Sequence, residues 1–188
     1  MNRKLFVIVL LSVIFAVQGL FAQDAFTWHL ALVKDNEGIP FDDTVSLNNG
    51  ETFSIQLFTD KDCYAYVIVE QASGSLASLM SKKMKAGDPP SSVRCTLSPP
   101  QGQEKFYVIT SAEEQTSLQR AIETYNKDRS SRNSARLKSA LFDVKDPKGD
   151  NPGKPATFAG SVRGENETVQ GTEFSGSTTY TKTIVISH

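Results

Sequence analysis

Cysteine, histidine and tryptophan are scarce: two, two and one in 188 residues. Two cysteines build neither a disulfide-dense miniprotein nor a four-cysteine zinc site. The histidines, His29 and His188, stand far apart in sequence and give no zinc signature. Charge of one sign is lacking as well. Against 20 basic side chains stand 21 acidic ones, a net charge of -1, so no broad basic surface for nucleic acid is expected. Beyond residue 17 no apolar run is long enough to span a membrane. What is present is core-forming. A chain that is 39% hydrophobic and 9% aromatic is not wholly disordered, and its length fits one domain.

The first 22 residues read as a secretory signal peptide. Arg3 and Lys4 give the positive start, Leu5 to Val17 is apolar except for Ser12, and Leu20-Phe21-Ala22-Gln23 resembles a cleavage region. The apolar stretch is shorter than the roughly 20 residues of a spanning helix. Cleavage after Ala22 removes two basic residues and no acidic one, so 18 basic side chains would face 21 acidic ones, a net charge of -3. The expected compartment is periplasmic or extracellular. In such an oxidising setting Cys63 and Cys95 are candidates for one disulfide.

Strand patterning dominates residues 26 to 111. Trp28, Leu30 and Leu32 alternate with Thr27, His29 and Ala31, the period of a half-buried strand. Asn48-Asn49-Gly50 signals a turn into Thr52 to Thr59, where Phe53, Ile55 and Leu57 alternate with polar residues. Cys63 to Val69 is β-branched and aromatic on both faces, which fits a central strand covered on both sides. Ser73-Gly74 turns the chain into Leu76 to Met80, and Lys82 to Pro90 reads as a polar loop. Val93, Cys95 and Leu97 alternate, Pro99-Pro100-Gln101-Gly102 turns, and Lys105 to Thr110 forms a further strand.

The period then lengthens. Ser111 and Glu114 have capping-box spacing, and Leu118, Ile122 and Tyr125 follow at helical intervals. Leu137, Leu141 and Val144 mark a second short helix, so residues 112–145 form a helical insertion. Residues 146–176 read as a loose loop, rich first in proline and glycine and then in glycine, serine, threonine and glutamate. Tyr180 to Ile186 ends the pattern as a strand that inserts into the main sheet, because a free apolar edge invites aggregation. The expected fold is mainly β: an antiparallel β-sandwich, Ig-like in outline, with a two-helix insertion before the last strand and one domain over residues 26–188.

Chemistry-bearing motifs are few. There is no G-x-S-x-G, and neither histidine stands in a triad context. Asp42-Asp43 and Asp60-Lys61-Asp62 lack the ligand ladder of a calcium loop. No catalytic residue, cofactor or metal site is therefore expected. Arg120, Lys127, Arg129, Arg132, Arg136 and Lys138 outweigh Glu123 and Asp128 locally and form a candidate patch for an anionic partner.

Four short pieces in order carry a resemblance: Leu47 to Phe53, Cys63 to Val67, Gly74 to Met80, and Pro99 to Glu104. Together residues 47 to 111 resemble the bacterial family called domain of unknown function 4384. The departure is Met80-Ser81, where many members carry Phe-Pro-Asn. The resemblance implies an exported or envelope-facing β-rich accessory domain with no assigned catalytic residues. The expected role is that of an exported non-enzymatic module that binds an envelope protein or glycan, without a stable membrane span. Two alternatives stand beside it: a secreted hydrolase using His29 with an acidic neighbour, and a structural component of the envelope.

Overall fold

Period-two alternation sends Trp28, Leu30 and Leu32 to one side of the first strand, and all three are buried. The structure, a computed structural model, describes residues 26–144, 154–162, 165–176 and 178–188. The expected leader and residues 146–153 and 163–164 of the expected loop lie outside them.

The chain is mainly β, and its strands form two packed sheets. One contains β1 (Phe26–Lys34), β2 (Glu37–Ile39), β4 (Thr52–Thr59), β7 (Ser91–Thr96), β9 (Lys154–Val162) and β10 (Glu165–Gly176). Its order is β7-β4-β1-β10-β9, with β2 paired to β1. The other contains β3 (Val45–Ser46), β5 (Cys63–Glu70), β6 (Leu76–Met84), β8 (Gln103–Ser111) and β11 (Thr179–Ser187), in the order β3-β11-β8-β5-β6. The pairings are antiparallel except for β3 with β11. As expected, β11 inserts into the main sheet, between β3 and β8.

Between the sheets lies one core. Trp28, Leu30, Phe53, Ile55 and Leu57 from the first sheet meet Val67, Phe106, Val108 and Ile184 from the second. Phe53 and Phe106 meet edge to face at 5.5 Å, a favoured aromatic geometry. The opposite face of the second sheet has its own core. There Tyr66, Ile68, Leu76, Tyr107 and Ile109 pack under two helices, α1 (Thr116–Lys127) and α2 (Ser131–Val144). Leu118, Ile122 and Tyr125 of α1, with Leu137 and Leu141 of α2, form the buried stripe. The result is three layers: sheet, sheet and helix pair. The two-faced composition of Cys63 to Val69 reflects this position, since β5 is covered on both sides.

Several expectations need correction. Residues 154–162 and 165–176 are no loose loop but the paired strands β9 and β10, joined to the sandwich through β1. Threonine, valine and phenylalanine supply the strand preference there, and the cross-strand ladder outweighs the glycines. The helices therefore precede three strands, not one. β6 continues to Met84, which is buried opposite Cys63, so the polar loop is shorter than Lys82 to Pro90. Ser111 does not cap a helix. It ends β8, paired with both Thr179 and Tyr64, and α1 starts at Thr116. Cys63 and Cys95 are free, not bridged. They sit on opposing sheets, and packed sheets lie about 10 Å apart, beyond the roughly 7 Å of Cα separation that a disulfide spans.

Candidate functional site

The helix pair builds an open recess on its outer side. A turn of three residues, Asp128 to Ser130, joins α1 to α2, which makes the helices antiparallel neighbours. The turn is tied by Asp128. Its carboxylate accepts from the Ser130 amide at 3.1 Å and from the Asn133 side-chain amide at 2.8 Å, and its carbonyl accepts from that same amide at 2.9 Å. With Leu118, Ile122, Leu137 and Leu141 turned to the sheet, each helix keeps a second stripe. Ser117, Arg120, Ala121 and Thr124 on α1 face Asn133, Arg136, Ser139, Ala140 and Asp143 on α2. Spacings of three and four residues put each set on one face. Together they line a groove of about 330 Å³.

The six residues of the expected basic patch are distributed over the groove, the hairpin end and the sheet side of α2. Arg120 and Arg136 line the groove. Lys127 ends α1, Arg129 lies in the turn and Arg132 opens α2, all exposed around the hairpin end. Lys138 turns away. Its ammonium lies 2.6 Å from the Glu70 carboxylate, which also accepts from the Tyr107 hydroxyl at 2.9 Å. Lys138 in first place holds the Glu70 carboxyl below the usual range, with burial opposing.

Charge follows an order along the groove. In antiparallel helices Arg136 comes level with Thr124, Arg120 with Ala140 and Asp143 with Ser117. A rise of about 1.5 Å per residue puts the two arginine positions roughly one turn apart along the helix axes. The hairpin end is thus basic and the far end acidic. The hydroxyls of Ser117 and Ser139 and the floor of Ala121 and Ala140 complete the lining. Such a recess suits recognition of an oxyanion by charge-assisted hydrogen bonds.

A second polar cluster lies at one end of the core between the sheets. His188 Nδ1 is 2.7 Å from Asn49 Oδ1, and its Nε2 is 3.8 Å from Glu104 Oε1. The backbone of His188 pairs with Gly102 in both directions. Burial raises the Glu104 carboxyl above its usual range, and His188 opposes that rise. Burial, with Glu104 adding to it, pushes the Cys95 thiol up to about 12. Burial raises the Cys63 thiol too. Both cysteines are therefore protonated near neutrality and poor nucleophiles. Sequence reasoning passed over His188 as a terminal residue. Its signal was there: Ile184, Ile186 and His188 continue one period-two face, and that face is the core.

His29 lies on the opposite face of β1 from Trp28 and Leu30. Its cross-strand neighbours are Phe58, with ring centroids 5.6 Å apart, and Glu173. An acid thus shares its face. The two cysteines do not, since both pack into the core between the sheets.

Among the described residues no group of three histidine, cysteine or acidic side chains is placed to hold a metal, and no helix is long and apolar enough to cross a membrane. No family model matches the chain, and no curated protein matches it.

Proposed function

We propose that this chain is an exported, non-enzymatic binding module of the bacterial envelope, periplasmic or extracellular. Its helical layer is the face that meets an envelope protein or glycan. The observation that carries this reading is the groove between α1 and α2, where Arg120 and Arg136 make no ion pair among the described residues. Supporting it are the leader-like first 22 residues, the resemblance of residues 47 to 111 to an exported accessory family, and two thiols held protonated by burial. A rigid sandwich that carries a recess on an added layer fits recognition, because the scaffold fixes where the charged groups point.

Co-sedimentation of the chain from residue 23 onward with washed bacterial envelope fragments tests the reading. Wild type should sediment with the fragments at low salt, and the double variant R120E/R136E should stay in the supernatant. Equal sedimentation of both, or none of either, overturns it.

A further inference from the structure

Resting on the binding-module reading, we propose that the α1–α2 groove takes the carboxylate of an acidic sugar, held between Arg120 and Arg136, with the ring hydroxyls facing Ser117, Ser139 and Asp143. Four observations select this occupant. First, Arg120 and Arg136 line the groove from its two facing helices and neither is spent on an ion pair, so an incoming oxyanion replaces no internal partner. Arginine presents a planar fork that matches a carboxylate in two parallel hydrogen bonds. Second, Asp143 closes the acidic end. It repels a continuous polyanion, whose charges would run the groove's length, but it accepts from a neutral hydroxyl. Third, the hydroxyls of Ser117 and Ser139 make no hydrogen bond among the described residues, and both donate and accept. A sugar ring offers donors and acceptors in the same mixture. Fourth, the floor is Ala121 and Ala140. It has no deep apolar pocket for the aromatic or aliphatic anchor that a protein partner uses for most of its binding energy. The volume of about 330 Å³ stands at the small end of ligand sites and fits a short saccharide.

Amide shifts in ¹H–¹⁵N spectra, during titration with an aldobiouronic acid (one uronic ring linked to one neutral ring), test the proposal. Maltotriose, triglutamate and inorganic phosphate serve as comparisons. Shifts should gather on α1 and α2 with the aldobiouronic acid and stay smaller with the other three. Losing either arginine to glutamine should weaken binding about tenfold or more, the value of one charge-assisted hydrogen bond. S117A/S139A should weaken it less, and R94A should leave it unchanged, since Arg94 is exposed on β7 of the other sheet. Thermal unfolding of each variant at the wild-type midpoint establishes that the fold is intact. Equal response to triglutamate assigns the groove to an acidic peptide, and equal response to phosphate reduces it to unselective anion binding. Either result overturns the sugar assignment. So does silence toward all four probes. Silence together with arginine-dependent sedimentation on envelope fragments overturns this proposal alone and leaves the binding-module reading standing.

Discussion

The two faces of the five-stranded sheet are packed by different means. Toward the other sheet β5 shows Cys63, Ala65, Val67 and Val69, small and aliphatic, and their partners are the apolar side chains of a second pleated surface. Toward the helices it shows Tyr66 and Ile68, and neighbouring β8 shows Tyr107. The aromatic rings there end in hydroxyls with partners. The Tyr66 hydroxyl accepts from the Gln115 amide at 3.0 Å, just before α1, and the Tyr107 hydroxyl donates to Glu70, which in turn holds Lys138 of α2. Ser81 of β6 donates to Gln119 of α1. Sheet meets sheet chiefly by area, which is non-directional, with the Tyr180 hydroxyl of β11 donating to the Ser175 carbonyl of β10 across the core. The helices are seated by area and then oriented by bonds at the rim. An oriented helix pair is what keeps Arg120 and Arg136 facing one groove.

The comparison can be broken from either side. The largest effect belongs to the core between the sheets. Phe106→Ala removes a fully buried ring that both sheets share, and urea unfolding should report a loss of about 3–5 kcal/mol. Leu137→Ala on the helical side should cost about 2–5 kcal/mol and raise hydrogen exchange first in α1 and α2, before the strands. Equal early exchange in β1 and β4 would show that the helical layer is no separate unit. Tyr66→Phe keeps the ring and leaves the Gln115 amide without its acceptor. It should cost about 1 kcal/mol and loosen the start of α1 alone.

The smallest effects separate the faces by pH. Glu70, on the helical side, is lowered from its ordinary 4.5, chiefly by Lys138. Its contribution is present above that value and fades as pH falls through the lowered one. Glu104, on the inner side, is raised from the same 4.5 by burial, against the opposing pull of His188, with Cys95 its other titratable neighbour. Its folded form binds the proton more readily, so stability falls as pH rises from 4.5 through the raised value. Chemical unfolding across pH 3 to 7 should show that E70Q flattens the acid limb and E104Q flattens the decline above it. The reverse assignment would mean that the two carboxyls do not hold these surroundings.

Most of the sandwich could be read from alternation. Strands β1 and β4 carry their large apolar residues at period two, β5 and β8 run apolar on both faces, and the two-faced β5 already implied a covering on each side. The misses have physical causes. Residues 154–162 and 165–176 intersperse their strand formers with glycine, serine and glutamate, and the pairings of β9 with β10 and of β10 with β1 are not visible in local sequence. The end of β6 carries Ser81, Lys82 and Lys83, polar residues that a sheet edge tolerates. A bridge between Cys63 and Cys95 needed the sheet assignment of each strand, which no local pattern carries. The groove was half legible. Local charge marked Arg120 and Arg136 along with four others. Only the placement of the buried stripes distinguishes the two that line a recess from Lys138, which is committed to Glu70.

The pairing of β3 with β11 has a consequence in time. Val45 and Ser46 lie beside Ile186 and Ser187, with about three quarters of the chain between them. β8 likewise lacks one of its two neighbours until β11 is present. A chain that emerges from its N-terminal side therefore carries, for most of its synthesis, a sheet with an open central edge. Pairings this distant in sequence slow folding, because the intervening loop must close before they contribute. The local hairpin of α1 and α2 forms from neighbours and needs no such wait. It stands ready on β5 and β6 as a cover for one side while the other side awaits its last strand.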